Sequence, residues 1–133
     1  MLAVKSTITN GLLVGSLVST CDNSGAKLVK ITSFKRKKTS KGRVPQGGVG
    51  DMVTVSIKKG KPDMRKQVMF AVIVRQRKEY RRRDGMRIKF ADNAVVVLKD
   101  DKGNPKGTML KGAIAKEVTE RWPGIAKLAG NIV

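Results

Sequence analysis

The sequence contains no histidine and only one cysteine, Cys21. The absence of histidine removes the most common general base and the most common metal ligand of proteins. One cysteine cannot form an internal disulfide, and without histidine it cannot complete a structural zinc site. Cys21 lies in an apolar stretch with no imidazole to activate it, so we interpret it as a small buried hydrophobic residue. We therefore expect no catalytic site, no metal and no cofactor.

Complete glycine-rich nucleotide-binding motifs are also missing. Gly60-Lys61-Pro62 resembles the end of a phosphate-binding loop, but no glycine stands five residues earlier and Pro62 replaces the magnesium-binding Ser or Thr. Gly48-Val49-Gly50 lacks the third glycine of a dinucleotide-binding fingerprint. A small enzyme acting on phosphorylated substrates is therefore a weak alternative, and we expect no small-molecule substrate.

Long apolar runs are absent. No run approaches the roughly 20 residues that a membrane-spanning helix needs. The stretch from Leu12 to Val18, which leads to Cys21, comes nearest to a signal peptide or lipoprotein signal, but Gly15 and Ser16 interrupt it. We therefore predict an intracellular protein with no membrane partner.

Acidic residues are scarce. Ten Asp and Glu stand against 29 Lys and Arg in 133 residues, which gives a formal net charge of +19. The hydrophobic fraction of 40% excludes a wholly disordered tail protein, and the length is that of one domain able to bury a core. A compact domain with this charge needs a polyanion to neutralise it. We predict that residues 1–133 form a single nucleic-acid-binding domain.

The basic residues are concentrated in three windows. The window at 35–43 contains no acid, the window at 58–66 contains only Asp63, and the window at 75–83 contains only Glu79. A merely solvated surface usually mixes charges of both signs, so the scarcity of acids favours contact with phosphates. The predicted RNA-binding residues are Lys35, Arg36, Lys37, Lys38, Lys41, Arg43, Lys58, Lys59, Lys61, Arg65, Lys66, Arg75, Arg77, Lys78, Arg81, Arg82 and Arg83.

The sequence contains none of the common motifs that recognise particular bases. There is no zinc-finger spacing, no helix-turn-helix pattern and no aromatic pair on a strand for stacking bases. Aromatic residues make up only 4% of the chain, and Tyr80 alone lies in a basic window. This composition favours folded RNA, contacted through phosphates and 2′-hydroxyls, over base-by-base reading of a single strand.

Apolar residues follow strand patterns through most of the chain. They alternate with polar residues at 28–34, 52–58 and 86–90, and they are continuous at 68–74 and 94–98. Turn-forming residues separate these runs, for example at 22–25 and 84–85. Short strands at this spacing predict a mainly β fold, a small β-barrel. Val55, Val72, Ile73 and Val96 are expected among its buried residues.

The last twenty residues have a helical pattern. Ile114, Val118 and Trp122 recur every four positions, and Pro123 can end one helix and begin another. We predict a helical appendage at about 113–133 that carries little net charge and has more apolar residues than two short helices can hide. These residues either pack on the barrel, an alternative strongest for Trp122 and Val118, or form a protein-partner surface. The candidates for that surface are Arg121, Trp122, Ile125, Lys127 and Leu128.

Several motifs together resemble one known family. The apolar run at 71–74, nine mostly basic residues, Asp84-Gly85, and then Phe90, Asn93 and Val96-Val97 resemble the signature of the universal large-subunit ribosomal protein number fourteen. Similar motifs are DNSGAK at 22–27, GVGD at 48–51 and KGAIAKEV at 111–118. The segment at 58–68 and the residues before Leu12 resemble the archaeal and eukaryotic branch, and the shortness of this extension favours archaea.

The resemblance implies a five-stranded β-barrel with a projecting β-ribbon and short C-terminal helices. It also implies a structural protein of the large ribosomal subunit, located in the cytoplasm at the subunit interface. Its expected partners are large-subunit rRNA, neighbouring ribosomal proteins including ribosomal protein number three, small-subunit rRNA across a bridge, and the anti-association initiation factor six. The charge pattern leaves one alternative open, a free chromatin or RNA-chaperone module.

Overall fold

The computed structural model describes residue 3 and residues 7–133. Strands dominate this part of the chain, and the helices are short. The elements in chain order are β1 (Leu12–Leu13), β2 (Leu17–Thr20), β3 (Ala26–Phe34), β4 (Gln46–Gly47), β5 (Met52–Gly60), β6 (Val68–Arg75), β7 (Tyr80–Arg81), β8 (Arg87–Ile88), β9 (Ala94–Leu98), β10 (Ala113–Ile114), α1 (Lys116–Arg121), α2 (Pro123–Ala126) and β11 (Asn131–Ile132).

Five of these strands close into a barrel in the order β2-β3-β5-β6-β9. The successive pairs from β2 to β9 are antiparallel, and a parallel pairing of β9 with β2, from Ser19 opposite Ala94 to Thr20 opposite Val95, closes the ring. Closure leaves these five strands without an open edge, where another chain could pair. The expected five-stranded β-barrel is confirmed.

Two apolar clusters lie on opposite sides of the barrel wall. Successive residues of a strand point to opposite faces. In β9, Val95 and Val97 accordingly join the interior cluster of the barrel, whereas Val96 joins a second cluster with residues of the C-terminal segment. All five residues of β9 are buried because both faces of this strand are covered. The predicted burial of Val55, Val72, Ile73 and Val96 is confirmed, and each is 0% exposed.

The C-terminal segment packs on the outside of the barrel. Its helices α1 and α2 have six and four residues, and Pro123 occupies the first turn of α2, as predicted. Strand β11 returns to pair in parallel with β10, which the sequence pattern did not indicate. None of the helices in the described ranges is long and apolar enough to cross a bilayer.

Besides the parallel β10–β11 pair, the described residues form two small antiparallel β-ribbons outside the barrel. Strands β7 and β8 form an antiparallel hairpin in which Tyr80 is opposite Ile88, and β1 pairs with β4. The turn of the β7–β8 hairpin contains Gly85 with φ of 90°, a left-handed conformation that glycine adopts without steric cost. The hairpin therefore carries only the end of the third basic window, residues 80–83, whereas the window begins at the end of β6.

Candidate nucleic-acid interface

The first basic window leaves the barrel at the end of β3. The amide of Lys35 donates a 3.0 Å hydrogen bond to the carbonyl of Met52, which fixes the start of the loop against β5. The side chains of Arg36, Lys38, Lys41 and Arg43 are then exposed to solvent. This window therefore leaves β3 at a fixed point and presents most of its cations outward.

Lys37 differs from its neighbours because it is bound to a carboxylate. Its Nζ lies 2.8 Å from Oδ2 of Asp51, an oxygen that also accepts a 2.8 Å hydrogen bond from the amide of Gly48. The other carboxylate oxygen, Oδ1, lies 3.3 Å from Nη1 of Arg121 in α1. Asp51 thus connects the first basic window to the C-terminal segment, and the charge of Lys37 is compensated within the protein.

The second window begins inside a strand. Lys58 and Lys59 are the exposed end of β5, and a tight turn follows at 61–66. Met64 anchors this turn because its side chain is 4% exposed and packs in the barrel cluster. The remaining cations, Lys61, Arg65 and Lys66, are exposed around this anchor.

Arg75, the first residue of the third window, points into the protein's own structure. Its side chain is 13% exposed and forms an ion pair with Asp92, with 3.0 Å between Nε and Oδ1. Its Nη1 also donates to the carbonyls of Lys111 and Ala113, at 3.2 and 3.1 Å. The neighbouring Gly112 has a φ of 77°, and a Cβ there would displace this guanidinium from its contacts. Arg75 therefore joins β6 to the C-terminal segment.

Arg82 is also held internally. Its Nε donates a 2.8 Å hydrogen bond to Oε1 of Glu117, and its Nη2 donates a 2.6 Å bond to the carbonyl of Val133. The hydroxyl of the buried Tyr80 donates to the second oxygen of Glu117 at 2.8 Å. This network joins the β7–β8 hairpin to α1 and the end of the chain.

Burial and hydrogen bonding shift the pKa values in this network. Burial raises the pKa of Tyr80 well above its ordinary value, and the Glu117 carboxylate beside it acts in the same direction. For Arg82, burial opposes the charged form, but the hydrogen bonds with Glu117 and Tyr80 outweigh burial and raise the pKa. Both shifts favour the neutral phenol and the charged guanidinium that the contacts require.

The remaining predicted RNA-binding cations share two properties. Within the described ranges, residue 3 and residues 7–133, Lys37, Arg75 and Arg82 are the members of the predicted set that have an ion pair. The other fourteen are exposed and have no ion pair there, and they are Lys35, Arg36, Lys38, Lys41, Arg43, Lys58, Lys59, Lys61, Arg65, Lys66, Arg77, Lys78, Arg81 and Arg83.

The predicted protein-partner surface requires a correction. Trp122 and Ile125 are 2% and 0% exposed, so the prediction that they present a docking surface is wrong. Helices of six and four residues cannot cover their own apolar side chains, and these two side chains are covered by the barrel wall instead. Arg121 is held by Asp51, whereas Lys127 is exposed and Leu128 is half-buried.

Sequence reasoning missed three polar residues that organise the surface. Asp51 and Glu117 each bind cations, and the fully buried Gln76 accepts from the amide of Val49 and donates to the carbonyls of Thr9 and Lys78. Acidic residues are rare in this sequence, which is a signal for Asp51 and Glu117. However, Glu117 binds Arg82, 35 residues away, and Asp51 binds Arg121, 70 residues away. Neither local periodicity nor charge counting can identify such pairs.

Comparison with known proteins identifies the family. The model of the family described as ribosomal protein L14p/L23e matches residues 11–133. The chain belongs to this family. A large ribosomal subunit protein uL14 from Nanoarchaeum equitans is 53% identical over 133 residues, and one from Halobacterium salinarum is likewise 53% identical, with both chains of each pair fully covered. The uL14 of Methanococcus maripaludis is 50% identical over 129 residues, 97% of each chain. These relatives also confirm the archaeal branch.

The motifs that carried the resemblance to the L14p/L23e family have structural roles in this chain. In the DNSGAK motif, Asp22 accepts a 3.0 Å hydrogen bond from the amide of Val97, which holds the β2–β3 turn against β9. In the GVGD motif, the carbonyl of Gly50 accepts from the indole of Trp122, and Asp51 binds its two cations. The motif KGAIAKEV forms β10 and the start of α1. These motifs therefore position the segments that carry the basic windows.

Proposed function

We propose that this chain binds large-subunit rRNA as one domain, through the fourteen exposed cations of its three basic windows. Its family is one of ribosomal proteins, which have a structural role, so the chain is a structural constituent of the large ribosomal subunit in the cytoplasm and is not an enzyme. The rRNA contact and the residues that make it are our proposal.

The proposal rests on a division among the basic side chains, because a few are bound to carboxylates whereas most are exposed without one. The carboxylates of Asp51, Asp92 and Glu117 bind Lys37, Arg75, Arg82 and Arg121, all of which hold the protein's own segments together. The fourteen exposed cations have no such partner in the described ranges. Uncompensated cations on loops and strand ends suit a phosphate backbone, because each phosphate contact releases counterions from the RNA.

Membership of a ribosomal protein family favours this function over the free chromatin or RNA-chaperone module. Both functions need the same surface charge, so charge does not separate them. Copurification of the chain with large subunits through a high-salt gradient distinguishes the two functions. A chain that leaves the particle at salt concentrations where other ribosomal proteins stay bound would support the free module.

The finer placement at the subunit interface is also part of the proposal. In this proposed placement, the chain contacts ribosomal protein number three and contributes to a bridge with small-subunit rRNA. The anti-association initiation factor six docks on the C-terminal segment. Among the exposed residues of this segment are Lys127 and the apolar Ile132 and Val133, which are 50% and 45% exposed, and Leu128 is half-buried. Apolar groups beside a modest charge suit a protein partner better than RNA.

The RNA contact is tested by the salt dependence of binding. The affinity of the full chain for a large-subunit rRNA fragment is measured over a range of salt concentrations. Replacing Arg81 and Arg83 with Ala removes two phosphate contacts and should lower the slope of log K against log salt by about 1 to 2. Arg82 is left intact because it stabilises the fold through Glu117.

The matched control replaces Lys27 and Lys30 with Ala, which removes the same amount of charge. Both lysines are exposed on β3, outside the three windows. The control should change the slope less than the Arg81 and Arg83 variant. Equal slopes for both variants would mean that net charge, and not the third window, determines binding.

A further inference from the structure

The first basic window encloses an open groove of about 510 Å³, a volume within the range of small-ligand sites. Four of the residues that line it are basic and none is acidic. Three of the basic ones, Arg36, Lys38 and Arg43, are exposed and have no ion pair within the described ranges. The fourth, Lys37, is the one neutralised by Asp51. The groove therefore has a positive rim that suits an anion.

Hydrogen bonds within the protein fix the shape of this groove. The hydroxyl of Thr39 donates a 2.6 Å bond to the carbonyl of Arg43, and the amide of Val14 donates a 3.4 Å bond to the carbonyl of Pro45. Lys37 joins the two sides, because its Nζ also donates to Oδ1 of Asn10 at 3.3 Å. A groove that is already shaped before binding loses less conformational entropy when a ligand enters.

Backbone conformation singles out Arg36 on the rim. Its φ is 61°, in the left-handed region where a residue with a side chain is strained and glycine is not. Arg36 also lines a smaller cavity beside Trp122, so it stands on the ridge between the two spaces. Lys66 has a similar φ of 63° but does not line the groove, so it is the position of Arg36 beside both spaces that places a cation where a ligand can reach it.

Apolar and amide groups line the rest of the groove. Val44 is 54% exposed, and Pro45 lies beside it. The side-chain amides of Asn10 and Gln46 also line the groove. An apolar surface beside amides and a cationic rim matches the parts of a nucleotide, which has a flat base with polar edges and phosphates on either side. An inorganic anion would use only the rim.

We propose that this groove holds one unpaired nucleotide of RNA. The base packs against Val44 and Pro45, and the flanking phosphates lie at Arg36 and Arg43. This inference rests on the proposed binding of RNA and specifies what the first window recognises. Unstacked bases can pack on arginine planes as well as on aromatic rings, so the scarcity of aromatic residues does not oppose it.

The test compares three double-stranded RNAs of the same sequence. One is fully paired, one carries a single bulged nucleotide, and one carries the same bulge without its base. The full chain should bind the bulged RNA about tenfold more tightly than the paired one, the order expected when roughly 50 Å² of apolar surface on Val44, Pro45 and the base is removed from water. The abasic bulge should lose most of this preference, because it keeps the bend and the phosphates but lacks the base.

A pair of matched variants locates the contact. Val44→Ser makes the groove polar without changing charge and should remove most of the preference for the bulge. Val68→Ser alters a valine that is 65% exposed on β6, outside the groove, and should leave the preference intact.

Three outcomes would overturn the proposal. Equal binding of the three RNAs with a normal salt dependence overturns the groove proposal and leaves RNA binding standing. An unchanged preference in Val44→Ser shows that the nucleotide binds elsewhere. Failure to bind any RNA at low salt would contradict the proposed function itself.

Discussion

The indole N–H of Trp122 donates a 2.8 Å hydrogen bond to the carbonyl of Gly50, 72 residues earlier in the chain. The residue after Gly50 is Asp51, which holds Lys37 of the first basic window, and the residue before Trp122 is Arg121, which binds the same carboxylate. The C-terminal segment and the loop before β5 are thus joined at two adjacent positions. The buried indole helps to position the surface that we propose for RNA.

Replacing Trp122 with Phe should destabilise the protein. The substitution leaves the carbonyl of Gly50 without its buried donor, which ordinarily costs about 1–3 kcal/mol, and the smaller ring adds the cost of a cavity. Chemical denaturation followed by circular dichroism gives the change in the free energy of unfolding. A midpoint equal to that of the unmodified chain would show that the hydrogen bond contributes nothing to stability.

Truncating Val72 to Ala should lower the free energy of unfolding by about 1–3 kcal/mol, because it removes two buried methyl groups and leaves a cavity. Val72 is 0% exposed and lies on the barrel face that the C-terminal segment covers. Val68→Ala, in the same strand but 65% exposed, is the control and should change stability by less than about 0.5 kcal/mol. Similar losses for both variants would contradict the buried position of Val72 and the exposed position of Val68.

Stability should fall at alkaline pH through Tyr80. Burial raises the pKa of its phenol in the folded state, so folding favours the protonated form. The corresponding stability is complete below the ordinary tyrosine pKa of about 10 and is lost as the pH rises above it. Tyr80→Phe should lose less stability over this range, and comparison with it cancels the effect of lysine deprotonation. Parallel pH profiles for the two proteins would refute the shift.

The same group can be titrated directly, because Tyr80 is the only tyrosine of the chain. The absorbance of tyrosinate should appear at a higher pH in the folded protein than in denaturant. Coincident titration curves would mean that the phenol is accessible to water and is not held by Glu117.

The thiol of Cys21 should react slowly with disulfide reagents. Burial raises its pKa from 9.0 to about 12, which lowers the fraction of reactive thiolate by about a thousandfold. The side chain is 3% exposed, so access is restricted as well. The measurement compares the reaction rate in buffer with the rate in denaturant. A native rate within a few fold of the denatured rate would contradict the buried position.

The barrel strands could be predicted because their pattern is local. The continuous apolar run at 94–98 corresponds to β9, and the alternation at 28–34 lies within β3. Strands of two residues, such as β10 and β11, have no periodicity to detect, so their parallel pairing could not be predicted. The internal roles of Arg75 and Arg82 were hidden for another reason. Their partners Asp92 and Glu117 lie 17 and 35 residues away, and only the fold brings them together.

Chemical footprinting of lysines in the intact large subunit measures whether the exposed cations of the three basic windows lie against rRNA. The chain is acetylated while free, while in the subunit, and after RNase digestion of the subunit. The exposed lysines of the three windows, Lys35, Lys38, Lys41, Lys58, Lys59, Lys61, Lys66 and Lys78, should react in the free chain, be protected in the subunit, and regain reactivity after digestion. If these lysines react as readily in the intact subunit as in the free chain, the three windows do not bind rRNA.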